Sequence, residues 1–331
     1  MESNGTNNLE RENNFSLKSI ASSQRFIAGL ALVVLYLLFF YLSPAFRSFT
    51  TLTSIFDSVY YIGFLAIGTT FVIATGGIDL SLGTGMITAA LTGGVLYQNY
   101  GVPVWLALLV ILFVGILIGI FNGFLVAKLE IPPFIATLGT QMVTLGLGSI
   151  VSNVQTMNFP LRSGPEGYYK SLFRTDGGFP TGIILLLGIA VIMILVLNKT
   201  KLGRYILAVG SNEEATRLSG INTVKWKWSA YIVSGFFIGL AGIAYAATYT
   251  SILPGEGMGI ETNAIAGAII GGTSLAGGLA SIQGTIIGVF IMAVLQTGLP
   301  FIGLQPHYQT FITGFVIIGA VLLDVMKQKR S

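Results

Sequence analysis

The stretch NKTKLGRYILAVGSNEEATRLSGINTVKWK, residues 198–227, separates two long apolar runs at Thr181–Leu197 and Trp226–Tyr249. It carries six lysines and arginines and two glutamates, in a chain of which only 9% of the residues are charged and 53% are apolar. Because a soluble domain carries roughly 25% charged residues, a chain of this composition is predicted to be embedded in lipid. The basic stretch is then a loop between two membrane spans.

A short helix is predicted inside this loop, from Ser211 to Gly220. Ser211 and Glu214 have the spacing of a capping box, in which the side chain of the first residue caps the helix. Glu213 and Arg217 are four residues apart, which favours an ion pair on one helix face. Gly220 supplies a C-terminal stop. The loop therefore displays a two-turn helix on its surface.

Apolar windows of about 20 residues, the length that spans a bilayer, predict ten transmembrane helices. The six clear windows are Phe26–Leu42, Ser54–Ala74, Val102–Ala127, Thr181–Leu197, Trp226–Tyr249 and Thr310–Leu323. The four weaker windows are Thr84–Tyr97, Phe134–Ser152, Asn263–Leu275 and Gln283–Leu299. The predicted fold is an all-α polytopic membrane protein.

The basic residues predict how these spans are oriented. With ten spans and the N-terminus inside, 13 of the 17 lysines and arginines lie on the cytoplasmic side, as the positive-inside rule requires. Both termini are therefore predicted to be cytoplasmic. Residues 1–25 are predicted to be a disordered tail, 26–325 a single transmembrane domain with 198–227 as a cytoplasmic loop, and 326–331 a basic tail.

The longest segment predicted on the outside, 153–180, combines aromatic residues with Pro and Gly breakers. It is either an ordinary connecting loop or a docking surface for an extracytoplasmic partner. Both interpretations stay open at the level of sequence.

Glycines carry two further patterns. Gly115, Gly119 and Gly123 form successive GxxxG steps, and Gly235 and Gly239 form another, a spacing that lets helices pack closely in lipid. In addition, GGIDLSLGT at 76–84 and GGLASIQGT at 277–285 form a weak internal repeat at an offset of 201 residues. Paired, glycine-broken segments of this kind are typical of the two halves of transporters, close to the substrate path.

Asp79 lies in the first copy of the repeat, between two predicted spans. An ionisable group at membrane depth is costly, so it is a candidate for a direct role in transport. Alternatively, its carboxylate caps the next helix by accepting from the amides of Leu80–Leu82. Ser81, two residues on, belongs to the same candidate site.

A polar stripe runs along the predicted span at 134–152. Its members are three or four residues apart and share one helix face. They are Thr137, Gln141, Thr144, Gly148 and Ser152. Uncharged hydroxyl and amide groups suit a neutral, polyhydroxylated solute, but hydrogen bonding between packed helices needs the same residues. Asn122 and Gln296 are weaker candidates of the same kind.

Several kinds of chemistry are missing from the sequence. With no cysteine and a single histidine, His307, a thiolate or histidine-rich metal site is not expected, nor is a cofactor. The chain has no Gly-Lys dipeptide, which excludes the GxxxxGK[ST] phosphate loop. No predicted span carries the series of ionisable residues expected of a proton relay. We therefore expect no enzyme activity, and a source of energy outside this chain.

Five stretches together resemble the membrane permeases of binding-protein-dependent ABC importers, in the ribose and monosaccharide branch. These are GGIDLSLG at 76–83, PFIATLG at 133–139, LGRY at 202–205, GSNEEATRLSGI at 210–221 and AGAIIGGTSLAGG at 266–278. They follow one another over all but about the first fifty residues. One departure follows Gly139, where TQMVTLGLGS at 140–149 replaces the Arg-Gly step of many relatives and leaves the cargo open.

The resemblance implies a permease of a prokaryotic cell membrane that works as a pair of chains around a central path, as a homodimer. Its partners would be a cytoplasmic ABC ATPase, an extracytoplasmic sugar-binding protein and the lipid bilayer, with no nucleic acid. ATP hydrolysis by the ATPase would drive import of ribose or a related monosaccharide. The residues that match the ATPase-coupling helix are Ser211, Asn212, Glu213, Glu214, Arg217, Leu218 and Gly220. Those assigned to the translocation path are Asp79, Ser81, Asn122, Phe134, Thr137, Gln141 and Thr144.

Three other functions compete with this interpretation. A stand-alone secondary transporter or channel would move a small polar solute without any ATPase. An integral-membrane enzyme would need a cluster of ionisable or metal-binding residues in one cavity. A receptor or scaffold would show no flux at all.

Overall fold

The computed structural model describes residues 24–175 and 177–328, and these residues are mainly helical. The tails predicted at 1–25 and 326–331 lie largely outside the described residues. Six α-helices make up the first part: α1 (Gln24–Leu42), α2 (Phe49–Ala74), α3 (Leu82–Tyr100), α4 (Val104–Gly123), α5 (Pro133–Val151) and α6 (Gly182–Lys199). Six more follow: α7 (Lys201–Ser211), α8 (Glu213–Leu218), α9 (Thr223–Thr248), α10 (Ile260–Ile270), α11 (Ile282–Phe301) and α12 (Pro306–Gln328).

Shorter elements connect these helices. A π-helical turn, Phe124–Lys128, continues α4, and 3₁₀ turns occupy Pro44–Arg47 and Gly167–Leu172. Two short strands, β1 (Met157–Asn158) and β2 (Ser251–Ile252), pair antiparallel.

Six helical segments in the described residues are long and apolar enough to cross a membrane. They are α2, α4 with its π-helical turn, α5, α6, α9 and α11. Each of the ten predicted windows overlaps a helix, which confirms an all-α polytopic membrane protein. The window at Asn263–Leu275 was too long, because α10 ends at Ile270 where the chain turns through Gly271 and Gly272.

Apolar side chains cover outer faces of the bundle as well as its core. On α6, only Gly182, Leu186, Ala190 and Leu197 are buried, and most of the remaining apolar residues of this helix point outward. A helix face made of exposed apolar side chains is unfavourable in water, so this face of α6 needs contact with lipid or another chain.

The core of the bundle is built around α9, which packs against α2, α3 and α4. The predicted close glycine packing is confirmed at the crossing of α4 and α9. A Cβ atom added to Gly115 would overlap the backbone nitrogen of Gly239, and one added to Gly119 would lie 2.7 Å from the Cα atom of Gly235. Only glycine lets the two backbones come this close.

The two copies of the internal repeat form corresponding turns. Gly76 and Gly277, equivalent at the offset of 201, both have left-handed backbone, with φ of 77° and 86°. Each turn precedes a helix, α3 in the first copy and α11 in the second. The turns also touch, because the amide of Gly278 donates to the carbonyl of Ala74 at 3.0 Å.

The segment at 153–180 is packed onto one end of the bundle. Its strand β1 pairs with β2, and the buried Tyr169 hydroxyl donates to the carbonyl of Ala246 near the end of α9. The ammonium group of Lys170 donates to Thr250 Oγ1 at 2.9 Å. Tyr168 and Leu172, in contrast, are exposed.

Candidate coupling helix and translocation path

Helix α7 fills the first part of the basic loop. Its N-cap is Thr200, whose side chain accepts from the amide of Gly203. Ile206 and Val209 are buried, whereas Lys201 and Arg204 are exposed. Sequence analysis did not predict α7, although apolar residues at 202, 206 and 209 have the spacing of a helix face.

The end of α7 lies directly against both turns of the internal repeat. A Cβ atom on Gly210 would overlap the carbonyl oxygen of Ala74 and lie 2.6 Å from the amide of Gly278. Ser211 packs against Gly278 as well. The loop between α6 and α9 is therefore in backbone contact with the segments that break the spans in both halves of the chain.

Helix α8 starts one residue later than the sequence suggested. Its N-cap is Asn212, which has extended backbone and whose Oδ1 accepts from the amide of Ala215 at 2.9 Å. The prediction that Ser211 caps this helix is wrong, because Ser211 is still the last residue of α7. Gly220 has left-handed backbone, with φ of 80°, and confirms the predicted C-terminal stop.

The ion pairs of α8 also differ from the prediction. Arg217 pairs with Glu214, three residues before it, at 3.1 Å, and both side chains are exposed. Glu213 pairs instead with Lys227 on α9. The predicted pair of Glu213 and Arg217 is wrong, because Glu213, in the first turn of α8, has a lysine of the neighbouring helix within reach.

Further contacts dock α8 on the bundle. The hydroxyl of Thr216 donates to the carbonyl of Ala208 on α7 at 2.9 Å. Leu218 points away from the chain and is 79% exposed. The helix thus has one anchored face and one face that is free to meet a partner.

A pocket of ≈ 710 Å³ opens beside α8. It is bounded by α8, by the first turns of α9, by the connection between α4 and α5, and by the first turn of the internal repeat. Its charged lining residues are Glu130, Glu213, Glu214, Arg217 and Lys227.

Asp79 is completely buried at the centre of a hydrogen-bonded cluster. Its Oδ1 accepts from the amide of Ser81 at 3.0 Å, from the Ser81 hydroxyl at 2.7 Å and from Asn122 Nδ2 at 3.3 Å. Its Oδ2 accepts from the hydroxyl of Ser234 at 2.9 Å. The sequence did not point to Ser234, because a lone serine in an apolar helix has no distinguishing signal.

The capping alternative for Asp79 is correct only in part. Of the amides of Leu80–Leu82, that of Ser81 alone donates to the carboxylate. The Ser81 hydroxyl gives a second bond from the same turn, and the other two bonds come from α4 and α9, so Asp79 joins the turn before α3 to two other helices. Within this chain it is a buried crosslink between elements.

The polar stripe on α5 also faces into the chain. Thr137 donates to the carbonyl of Ile78, and the hydroxyls of Thr144 and Thr84 are 2.8 Å apart. Gln141 Nε2 donates to Glu261 Oε1 at 2.9 Å. These contacts are of the interhelical kind that the sequence left open. Phe134, by contrast, is 53% exposed on the outer face of α5.

Glu261 is a further buried polar residue that sequence analysis missed. It lies in the first turn of α10 and is only 5% exposed. The weaker candidate Gln296 likewise bonds α10, through Asn263 Oδ1 at 2.8 Å. No group of three or more His, Cys, Asp or Glu residues suited to a metal ion occurs in the part of the chain that the structure describes.

Comparison with known families identifies the class of this bundle. A sequence model of the family described as "Branched-chain amino acid transport system / permease component" matches residues 51–321. The chain belongs to this permease family. The match extends from α2 into α12, so the assignment depends on the whole bundle and not on a single motif.

Individual relatives of the permease import sugars. It is 39% identical to the ribose import permease protein of Escherichia coli (strain K12), over 90% of this chain and 93% of that protein. It is 34% identical to the fructose import permease protein of Rhizobium meliloti, over 86% of this chain and 80% of that protein. It is 32% identical to the galactose/methyl galactoside import permease protein of Salmonella typhimurium (strain LT2), over 91% of this chain and 94% of that protein. No solved structure matches.

These matches confirm the resemblance found in the sequence. The permease is the membrane subunit of a binding-protein-dependent ABC importer and a multi-pass protein of the cell membrane. Its relatives are transport proteins and not enzymes.

Proposed function

We propose that two copies of this permease form the translocation path for ribose or a related monosaccharide, without enzyme activity of their own. A separate cytoplasmic ATPase supplies the energy, and an extracytoplasmic binding protein delivers the sugar. The relatives support a monosaccharide cargo, since they include ribose, fructose and galactose import permeases. The exposed Tyr168 and Leu172, on the segment at 153–180, are a suitable docking surface for the binding protein.

In this proposal ten helices cross the membrane and both termini are cytoplasmic. The single transmembrane domain is 26–325, with cytoplasmic tails at 1–25 and 326–331. The stretch 198–227, which contains α7 and α8, is the cytoplasmic coupling loop. The distribution of basic residues supports this orientation.

The observation that carries the proposal is the arrangement of α8. Its outer face presents Glu214, Arg217 and Leu218 to solvent, while its inner face is bonded to α7 and α9. At the end of α7 next to α8, Gly210 lies against both turns of the internal repeat. A partner that moves α8 therefore moves the turns next to the spans, which is how a cytoplasmic subunit shifts the balance between two packings.

The remaining coupling residues have supporting roles in this arrangement. Asn212 caps α8, Gly220 ends it, Glu213 holds it against α9, and Ser211 packs against the second turn of the repeat.

The path itself is proposed to run along the outer face of α5. Phe134 borders the path, since its side chain is half exposed in the single chain. The buried candidates behind it hold the wall in shape through hydrogen bonds between helices. They are Asp79, Ser81, Asn122, Thr137, Gln141 and Thr144.

Charge reversal on α8 tests the coupling role. We expect Glu214→Arg and Arg217→Glu each to abolish ATP-driven uptake of radiolabelled ribose by proteoliposomes that contain the ATPase and the binding protein. The double reversal restores the ion pair within α8 but not the charge pattern offered to the ATPase, so it should remain inactive. Lys201→Glu, on the exposed face of α7, is the control for a change of net charge.

Three outcomes of the same assay would change the proposal. Full uptake by both single reversals would contradict the role of α8. Flux through the purified permease without ATP would favour a secondary transporter or channel. ATP-driven uptake of fructose or galactose, but not of ribose, would keep the mechanism and change the cargo.

A further inference from the structure

Helix α10 begins deep inside the bundle. The strand pair before it lies beside the later turns of α3, because a Cβ atom on Gly94 would lie 2.7 Å from Met157 Cβ. Gly257, five residues after Ile252, packs against Gly83 in the first turn of α3. Along α3, the distance from Gly83 to Gly94 is about 16 Å, and five extended residues cover about 17 Å. The chain thus runs back beside α3 before α10 starts.

Helix α10 is correspondingly a half-length helix. Its 11 residues rise about 16 Å, roughly half of the ≈ 30 Å apolar core of a bilayer. The segment before it, 253–259, is irregular, with left-handed backbone at its three glycines. Irregular backbone at membrane depth is tolerated only where it is buried in protein or lines an aqueous cavity. Met258 is 54% exposed in the single chain, so one side of this segment is not covered by the bundle.

Glu261 places an unsatisfied carboxylate oxygen at the start of this half-helix. Its Oε1 accepts from the amide of Gly259 and from Gln141 Nε2, both at 2.9 Å. Its Oε2 is buried and has no hydrogen-bond donor among the described residues. Instead, Oε2 faces the backbone of Gly83, where an added Cβ atom would lie 2.9 Å away. An unpaired buried acceptor is costly, and a ligand that donates a hydrogen bond to this oxygen in another state of the transport cycle would remove that cost.

The surroundings of Oε2 indicate the chemistry of that donor. Gln141, which holds Oε1, lies halfway along α5, on the helix that carries Phe134 on its outer face. The two groups next to the carboxylate, the Gln141 amide and the Gly259 N–H, are themselves donors. A metal cation needs several oxygen ligands, and no group of three or more His, Cys, Asp or Glu residues surrounds Glu261 among the described residues. A hydroxyl group, which donates one hydrogen bond and accepts others, fits this set.

We propose that Glu261 binds a hydroxyl group of the transported sugar through Oε2 when the start of α10 moves away from Gly83 of α3 during the cycle. This inference rests on the proposed function and names one residue of the sugar path. Broken helices that begin near the midplane supply substrate sites in other transporters, and here the half-helix α10 supplies the carboxylate.

Glu261→Gln tests this role, because it keeps the shape of the side chain and removes the charge. The assay uses the complete transporter in proteoliposomes with a saturating concentration of sugar-loaded binding protein, and it measures sugar imported per ATP hydrolysed. We expect this ratio to fall about tenfold or more, the effect of losing a hydrogen bond to a charged acceptor. ATP hydrolysis stimulated by the binding protein should persist, which shows that the variant folds and couples. Glu256→Gln, an exposed carboxylate in the same segment, should behave like the wild type.

The double variant Glu261→Gln/Gln141→Glu separates sugar binding from packing. The new amide can accept from the Gly259 N–H through its oxygen and donate to the new carboxylate through its nitrogen, so positions 261 and 141 remain hydrogen-bonded with the direction of that bond reversed. Import that stays low in the double variant supports a sugar contact. Import restored to the wild-type ratio, or an equal loss in Glu256→Gln, would overturn the proposal. A wild-type transporter that imports no monosaccharide would instead contradict the proposed function.

Discussion

At the scale of single residues, Gly210 has the most restricted position in the coupling loop. A side chain there would overlap the carbonyl of Ala74, so Gly210→Ala must push α7 away from the turns of the internal repeat. Overpacking of this kind costs about 1–3 kcal/mol. We expect a lower melting temperature of the detergent-solubilised permease and a weaker coupling of ATP hydrolysis to uptake.

Gly188→Ala on α6 is the matched control for this substitution. Nothing lies within 4 Å of a Cβ atom at Gly188, and alanine favours a helix over glycine. Its melting temperature should equal or exceed that of the wild type. A Gly210→Ala permease that melts with the wild type would show that the contact between α7 and the repeat is not tight in the assembled transporter.

Residue-level detail in the loop was predictable only where it is local. The stop at Gly220 follows from its own backbone conformation, and the sequence identified it. The cap and the ion pairs of α8 were wrong, because they depend on neighbours. Ser211 belongs to α7, and Glu213 has Lys227 of α9 as its partner. The ten residues of the motif show neither that α7 extends to Ser211 nor that Lys227 lies next to Glu213.

At the scale of helices, the Asp79 cluster is the clearest link between elements. Asp79→Ala leaves the hydroxyl of Ser234 without its acceptor and removes the acceptor that Ser81 and Asn122 share. Each buried donor that is left unpaired costs about 1–3 kcal/mol. We therefore expect thermal unfolding in detergent at a distinctly lower temperature, with a smaller loss for Asp79→Asn, which keeps an acceptor oxygen.

This measurement separates the two roles left open for Asp79. If Asp79 only crosslinks helices, the Asp79→Ala permease should lose thermal stability but keep most of its uptake at temperatures below its melting temperature. An Asp79→Ala permease of wild-type stability that has lost uptake would place the carboxylate in the path instead.

Helix-level predictions succeeded where hydropathy alone determines the structure. The long apolar windows each coincide with a helix, because about twenty apolar residues have few alternatives in lipid. The end of the α10 window was placed five residues too late, because the chain turns at Gly271 and Gly272. The contact of Gln141 with Glu261 joins residues 120 positions apart, and no local spacing indicates it.

At the scale of the whole molecule, the buried ammonium group of Lys170 links the segment at 153–180 to the bundle. Burial lowers the pKa of Lys170 from its ordinary 10.5 to about 8, and repulsion by Arg162 adds to this. Between these two pH values the unfolded chain binds the proton that the folded chain has lost, so stability rises as pH increases through this range. We expect the melting temperature of the wild type, relative to that of Lys170→Met, to increase from pH 8 to pH 10.5.

The difference between the two proteins isolates Lys170 from the titratable groups that both proteins share. Lys199→Met, at an exposed lysine, is the control and should leave the profile of the wild type unchanged. If the melting temperatures of the wild type and of Lys170→Met change in parallel with pH, Lys170 is not desolvated in the assembled protein.

The orientation of the whole bundle can be tested directly, because the chain has no cysteine and any introduced thiol is unique. Ser163→Cys and Ser219→Cys place thiols at exposed positions on either side of α6. We expect a membrane-impermeant maleimide added to intact spheroplasts to label the first variant, and the second only after permeabilisation. Ser331→Cys should behave like Ser219→Cys if the proposed ten spans place both termini inside. Labelling of Ser163→Cys and Ser219→Cys from the same side would mean that α6 does not span the membrane. Reversed labelling would invert the topology and place α8 out of reach of a cytoplasmic ATPase.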